Sequence, residues 1–456
     1  MDTLWKTDRE KKEFAPLSGD RKIDTVVIGG GMAGILTAYY LGQVGVPAIV
    51  LEANRVGSGQ SGKTTAKITS QHNLIYDKLC RVFGTEKAMH YARANEKAID
   101  AYEQLITREK IDCDFERCSS FLFSRKEEAL LRGETRAAQN LGLPVRYKNK
   151  VELPFPVAGA MEFQNQARFH PLHFLYRLSD LVNVYEKTRV LRVEGNRVET
   201  DRGTVEAENI VFATHYPFVN VPGYYFARMY QERSYILALE NAQRLRGMYL
   251  EIDGDQFSFR NQGEYLLFGG GSHRTGKCKK GGRYESLREN VEKFWPDCRV
   301  RMAWSAQDAM TLDGVPYIGK FSGKKENWYV ATGFGKWGMT SSMVSARLIT
   351  AEIIGHPFPE GDIFSPQRKM TTEALKGLAG HSLEMMIGMG KRLVPARKRK
   401  DSKGKPVVPV CPHMGCRLIW NPEEKTYECP CHGSRFDEEG KLLDNPAQSN
   451  CDHEKY

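Results

Sequence analysis

The first strong apolar run, residues 23–28, ends in Gly29-Gly30-Gly31-Met32-Ala33-Gly34; an apolar stretch over 35–44 and a second short run over 48–51 follow. Short apolar runs separated by glycine predict strand, tight turn, helix and strand. No charge falls between Val26 and Leu51, a length that also suits a membrane span. The glycine cluster at its start and Gly45-Val-Pro47 near its end argue for strand–helix–strand instead. Residues 92–130 read as helices with charged faces. Runs at 234–239, 248–252, 257–259 and 265–268 predict antiparallel strands. Residues 328–340 repeat the strand–glycine–helix pattern, with a helix beginning near Ser341. His356-Pro-Phe-Pro-Glu-Gly361 is a helix stop and the start of a linker. No internal repeat or low-complexity tract is visible.

Composition adds bounds. A chain of 456 residues suits two or three domains, and 41% hydrophobic with 27% charged residues is the balance of an ordinary soluble protein. The charged N-terminus, residues 1–12, has no apolar core of a secretory signal, so a cytoplasmic protein is expected. Much of the net charge of +10 lies in residues 391–405, where eight of fifteen are Lys or Arg. No aromatic residues interleave there and no nucleic-acid motif accompanies the run. A solvated linker is one reading; steering of an acidic redox partner of ferredoxin or flavodoxin type is the sharper one. Cys80, Cys113, Cys118, Cys278, Cys298 and Cys451 share no spacing and read as ordinary reduced cysteines.

The N-terminal unit carries G-x-G-x-x-G in its required context, with Glu52 eighteen positions after the last glycine. Gly29 permits the tight turn, Gly31 lets backbone approach a pyrophosphate, Gly34 lets helix pack on strand, and Glu52 is placed for a ribose. The loop over 55–67 includes Thr64, Thr65 and Ala66 and is rich in glycine and hydroxyls, suited to the longer pyrophosphate and ribityl chain that FAD has and NAD lacks.

The C-terminal segment reads Cys411-Pro-His413-Met-Gly-Cys416, then Cys429-Pro-Cys431-His432-Gly-Ser434. Each half supplies one thiolate and one imidazole. Two Cys on one iron and two His on the other is the ligation of a Rieske [2Fe–2S] centre. A structural zinc site also uses two of each, but pairs like ligands at other spacings.

The stretch over 411–447 closely resembles Rieske domains, including its Gly-Ser-Arg-Phe and Asn-Pro-Ala runs. The resemblance implies Cys411, His413, Cys429 and His432 as cluster ligands. It also implies a disulfide between Cys416 and Cys431, and Ser434 as a hydrogen-bond donor to cluster sulfur. Phe436 stands where a tyrosine donor is common, which implies a lower potential. Few residues are left to build the strands beneath the cluster, so the domain at 406–456 reads as abbreviated, joined by a basic linker at 356–405.

Residues 22–355 resemble D-amino-acid-oxidase-like FAD enzymes, through the glycine fingerprint, Thr64-Thr-Ala-Lys-Ile-Thr-Ser-Gln-His72, Arg168-Phe-His-Pro171, Ala213-Thr-His215 and Trp304-Ser-Ala-Gln-Asp308. The resemblance extends to bacterial members fused to a Rieske domain. It implies a Rossmann-like α/β FAD-binding domain with an antiparallel substrate-side sheet (α+β, about 225–300), plus a small all-β Rieske-type domain. By the same resemblance Val190 lies beside adenine, Ala213 and Thr214 near the FAD, and Gly333, Gly335, Gly338, Met339 and Thr340 near the isoalloxazine. Arg260 is a candidate carboxylate clamp and His273 a candidate proton acceptor, with Arg274 nearby; Lys336 and Trp337 are placed to shape the substrate cavity.

A flavin accepts two electrons as hydride and a [2Fe–2S] centre carries one. The expected function is therefore a dehydrogenase that oxidises a small amine, amino acid or hydroxy acid and passes electrons singly to an external acceptor. Alternatives are a reductase with electrons entering at the cluster, and a non-catalytic redox sensor or electron-transfer module.

Overall fold

The computed structural model describes residues 3–6, 12–390, 399–400, 406–407 and 410–451. Strands Arg21–Ile28, Ala48–Leu51, Gly203–Phe212, Lys325–Thr332 and Asn183–Tyr185 form the parallel part of one sheet, with Arg21–Ile28 between Gly203–Phe212 and Ala48–Leu51. Their facing segments (Val26-Val-Ile28, Ile210-Val-Phe212) are apolar on both faces, as a doubly covered parallel sheet requires. Helices Met32–Gln43 and Gly338–Ile353 share the core on one side, through Ile35, Leu36, Tyr39, Met343, Val344 and Ala346. The hairpin Val190–Glu194 with Arg197–Thr200, together with Phe321 and Trp328, closes the other.

A second sheet of nine strands runs in the order Arg299–Thr311, Met229–Glu240, Tyr265–Arg274, Ser258–Gln262, Met248–Glu251, Glu116–Ser124, Gly159–Arg168, Lys67–Ile68, with Val145–Lys148 on a side branch. The alternating runs read from sequence are four of these strands. The sheet is larger than expected, however, because it recruits strands from before residue 225. Residues 116–124, expected as helix, form a strand between Gly159–Arg168 and Met248–Glu251. Their Phe-Leu-Phe core is too short to show a period, and distant partner strands decide the conformation. The helix expected near Ser341 begins at Gly338.

The C-terminal unit is a four-stranded antiparallel sheet, Ile419–Asn421, Thr426–Glu428, Arg435–Phe436 and Leu442–Asp444. Its own small core includes Leu418, Tyr427, Phe436 and Ala447. The expected linker is structured over much of its length. Ile363 and Phe364 join the flavin-side core, and Thr372–Gly390 is a helix whose Met385 joins the C-terminal core. The basic run at 391–405 lies, apart from residues 399–400, outside the described residues. No helix among the described residues is long and apolar enough to cross a membrane.

Period-two alternation gives two strands of the large sheet opposite duties on their two faces. On Met229–Glu240, Gln231, Arg233 and Tyr235 contact the C-terminal unit: Gln231 through the His432 carbonyl, Arg233 through Glu424, Tyr235 through Asn421. On the neighbouring Arg299–Thr311, Ser305 and Gln307 do the same through Glu424 and the Gly433 carbonyl. Between them fall Glu232 and Ser234, paired in register with Asp308 and Ala306. The interface is charged and buried. Arg233, 1% exposed, lies 2.6 Å from Glu424 and 3.5 Å from Glu428; Arg435 lies 3.2 Å from Glu424 and 2.7 Å from Asp444. Removing one member of such a set leaves uncompensated buried charge, at a cost of about 3–5 kcal/mol. Arg233→Met is accordingly expected to lower stability by ~3 kcal/mol or more in urea unfolding, toward the lower end of that range because Arg435 remains.

Candidate active site and metal centre

A cavity of roughly 380 Å³ runs from the glycine turn to the large sheet. Gly29, Gly31, Glu52, Thr64, Thr65, Val190, Ala213, Thr214, Gly335, Gly338 and Met339 line it. Gly34, Ala66, Gly333 and Thr340 do not, and act behind the wall. A Cβ on Gly34 would stand 1.9 Å from the Gly29 carbonyl oxygen, and one on Gly29 2.5 Å from that of Ala213. A Cβ on Gly333 would meet the Thr311 methyl at 2.4 Å. Thr340 Oγ1 donates to the Thr69 carbonyl at 3.1 Å. These close approaches build the cradle a dinucleotide needs. Glu52 accepts from the N–H groups of Gly30 and Asn54, both at 2.7 Å, and its burial raises its pKa.

The loop over 63–66 is fastened from outside. Trp5 Nε1 donates to the Thr64 carbonyl, Trp304 Nε1 to that of Lys63, and Arg260 Nη1 to those of Thr65 and Ala66 at 2.9 and 2.8 Å. The clamp role expected for Arg260 is therefore corrected. Its guanidinium is fully buried, is spent on carbonyls and Gln262, and does not reach the cavity. His273 also lies off the cavity wall, stacked on Tyr235 with its Nδ1 3.3 Å from the Gly271 carbonyl, and burial lowers its pKa. Arg274 turns to His381 and Glu384.

Lys336 and Trp337 do line the cavity. Lys336 Nζ donates to Ser272 at 2.7 Å and Gln256 at 3.0 Å, and Trp337 stacks on His72. Residues that the sequence reading did not single out for this wall are Lys67, Gln256, Ser272 and Asp308, and 442–445 of the C-terminal unit. Lys67 donates to the Tyr249 carbonyl and to Ser258, both at 2.7 Å, and burial depresses its pKa to about 7. Asp308 is pushed up to about 7 by burial, against the pull of Lys336. The only signal for Asp308 in sequence was its place in Trp304-Ser-Ala-Gln-Asp308.

The four expected cluster ligands pair by type, histidine with histidine and cysteine with cysteine. The rings of His413 and His432 stand 4.9 Å apart at 86°. Cys411 and Cys429 are close enough to interact: their interaction raises the Cys411 pKa and lowers that of Cys429, which backbone N–H groups also favour as thiolate. Cys429 sulfur lies within 4.8 Å of those of Cys416 and Cys431 as well. Those two are joined in a disulfide, leaving Cys411 and Cys429 as the free pair.

Neighbours set the histidine tautomers. His432 Nε2 is 3.0 Å from Met385 Sδ, which only accepts. His413 Nε2 is 2.9 Å from Asn220 Oδ1. Each Nε2 therefore carries the proton, and each Nδ1 is buried, lone-paired and without a hydrogen-bond partner. Burial lowers the pKa of both rings, that of His413 to about 4. Two neutral imidazoles with orphaned Nδ1 atoms and two neighbouring free, buried cysteines fit a metal cluster. The Ser434 hydroxyl, close to Cys411, acts to lower its pKa and accepts from the Ala447 N–H at 3.0 Å.

Residues 24–352 match the family described as FAD dependent oxidoreductase, and residues 375–454 match the Rieske [2Fe-2S] domain. The chain is 34% identical to the putative Rieske 2Fe-2S iron-sulfur protein YhfW of Bacillus subtilis, over 98% of this chain and 96% of that one. In fold it is similar to glycine oxidase from Geobacillus kaustophilus, with TM-score 0.63 and 20% identity over 77% of this chain and all of that one. It is likewise similar to L-proline dehydrogenase from P. horikoshii, with TM-score 0.65 and 16% identity over 76% and 98%. FAD and a [2Fe–2S] cluster are thus its cofactors.

Two substitutions test the sites. Gly34→Ala is expected to purify with most of its flavin absorbance lost, whereas Gly42→Ala in the same helix, with open space around it, keeps the flavin and gains about 0.5–1 kcal/mol. His432→Leu should lose the rhombic EPR signal of the reduced cluster and most of the iron while retaining flavin.

Proposed function

The chain belongs to the FAD-dependent oxidoreductase family and carries a Rieske domain, and from that premise we propose that it is a dehydrogenase. It oxidises a small organic substrate, an amine in preference to an amino acid or hydroxy acid, and passes electrons singly through the cluster to an external one-electron acceptor. One observation carries the reading. Residues 442–445 of the cluster domain form part of the wall of the flavin cavity, while the sheet across that cavity hydrogen-bonds the loop bearing His432. When bound, FAD supplies a hydride acceptor and the cluster a carrier of single electrons.

The cavity's own groups support the amine. Among the described lining residues the one arginine is Arg189, beside Val190 at the end assigned to adenine. Lys67 and Lys336 are held by protein acceptors. Among the described lining residues no arginine stands beside Asp308 to pair with a substrate carboxylate. The Asp308 carboxylate, by contrast, is suited to bind a protonated amine and to take its proton, leaving the neutral amine oriented for C–H cleavage.

The experiment is an anaerobic screen of primary and secondary amines, amino acids and hydroxy acids against the holoprotein, reading flavin bleaching and then cluster EPR. Bleaching by an amine followed by the reduced-cluster signal is expected. Bleaching confined to hydroxy acids, or rapid peroxide formation in air with the cluster left oxidised, overturns the reading. Below about pH 7 Asp308 is protonated and neutral, so kcat/KM for a cationic amine should rise with pH through about 7. Asp308→Asn should flatten that limb and raise KM about ten- to hundredfold, since a charge-assisted hydrogen bond contributes about 1.5–3 kcal/mol.

A further inference from the structure

A single side chain joins the two cofactor sites. Gln231 is 2% exposed. Its Nε2 donates to the His432 carbonyl at 2.7 Å and to that of Asn445 at 3.1 Å. Its Oε1 accepts from Gln307 Nε2 at 2.6 Å, and that same nitrogen donates to the Gly433 carbonyl at 2.9 Å. The contact is tight: a Cβ on Gly433 would stand 2.7 Å from the Gln231 Cβ. The Gln231 carboxamide also neighbours the His215 ring, and both His215 and Asn445 line the flavin cavity. His215 is held in a left-handed conformation, φ +67°, with its carbonyl accepting from Thr332 Oγ1 at 2.6 Å. Its Nε2 is buried and has no hydrogen-bond partner. From cavity wall to cluster ligand the route is therefore one imidazole, one carboxamide and one main-chain carbonyl.

We propose that His215 and Gln231 form the electron bridge between the flavin and the cluster. Tunnelling decays more slowly through bonded, hydrogen-bonded and packed atoms than across open gaps, and this route runs through the buried Gln231 carboxamide and its hydrogen bonds to the Asn445 and His432 carbonyls. In each event one electron leaves the reduced FAD, and one ferric ion of the oxidised cluster becomes ferrous. Flavin protons leave through the cavity. The second electron follows once an external one-electron acceptor has reoxidised the cluster. The inference rests on the proposed function, in which the two centres exchange electrons.

The test is flash photoreduction of the flavin in the anaerobic holoprotein by an external photodonor, following flavin recovery and cluster reduction in time. Gln231→Leu is compared with Glu423→Ala. Both remove two hydrogen bonds across the same interface, since Glu423 accepts from the Arg283 and Tyr284 N–H groups at 3.0 and 2.6 Å. Glu423 has no place on the route. Gln231→Leu is expected to slow transfer by an order of magnitude or more, with iron content, EPR g values and the potentials of both centres as in the wild type, and Glu423→Ala to stay close to wild type. His215→Leu carries the same expectation from the cavity side and decides the matter if Gln231→Leu fails to load iron. Undiminished transfer in a loaded bridge variant, or equal slowing by Glu423→Ala, overturns the bridge alone. No transfer in the wild type overturns the proposed function and the bridge with it.

Discussion

The register of two strands holds this molecule together as a two-centre protein. Met229–Glu240 and Arg299–Thr311 pair so that Glu232 meets Asp308 and Ser234 meets Ala306, while Arg233 meets Gln307 and Gln231 meets Ala309. Ser234, Ala306 and Asp308 line the flavin cavity, and Gln231, Arg233, Ser305 and Gln307 hold the cluster domain. A slip of one residue in either strand would exchange these sets, placing Arg233 toward the cavity and Asp308 toward Glu424. Register is specified strongly here because both faces are chemically committed. The sheet is a partition thin enough for its two sides to be joined by single side chains.

The buried charges at this interface fit specificity better than stability. Two arginines and three carboxylates meet where an apolar contact would also have docked the domain, and desolvation takes back much of what their attraction gives. Their directions do constrain the fit. Glu424 meets Arg233, Arg435 and the Ser305 hydroxyl together, and its pKa is lowered by the two arginines in spite of burial. A misplaced cluster domain would leave these charges unpaired, so the correct placement is favoured by the cost of every other one.

What was legible in the sequence was whatever a few neighbouring residues encode. The glycine turn with Glu52, the short parallel strands, and the paired Cys-x-His and Cys-x-x-His loops each carry their chemistry within a few positions, and the structure places their residues together. The strand Glu116–Ser124 and the helix Thr372–Gly390 were missed for a different reason. The first takes its conformation from strands some forty and a hundred and thirty positions away. The second gains its role by laying Met385 on His432 and Gly388 on the disulfide, where a Cβ on Gly388 would come 2.6 Å from the Cys431 sulfur. Arg260 shows the limit most clearly. An arginine on a strand of the substrate-side sheet suggests a clamp, but the carbonyls of Thr65, Ala66 and Phe169 that consume its donors come from far along the chain.

Covering the cluster loops has a chemical consequence. Asn220 comes from the flavin domain and Met385 from the connecting helix, and each accepts a hydrogen bond from the Nε2–H of one histidine. The tautomer that leaves both Nδ1 atoms unprotonated is thus imposed from outside the two loops. The large sheet and the helix Thr372–Gly390 both pack on the loop that carries His432. The same elements that orient the ligands also exclude water from them. Packing, histidine tautomers and the short route between the two sites therefore meet at one interface.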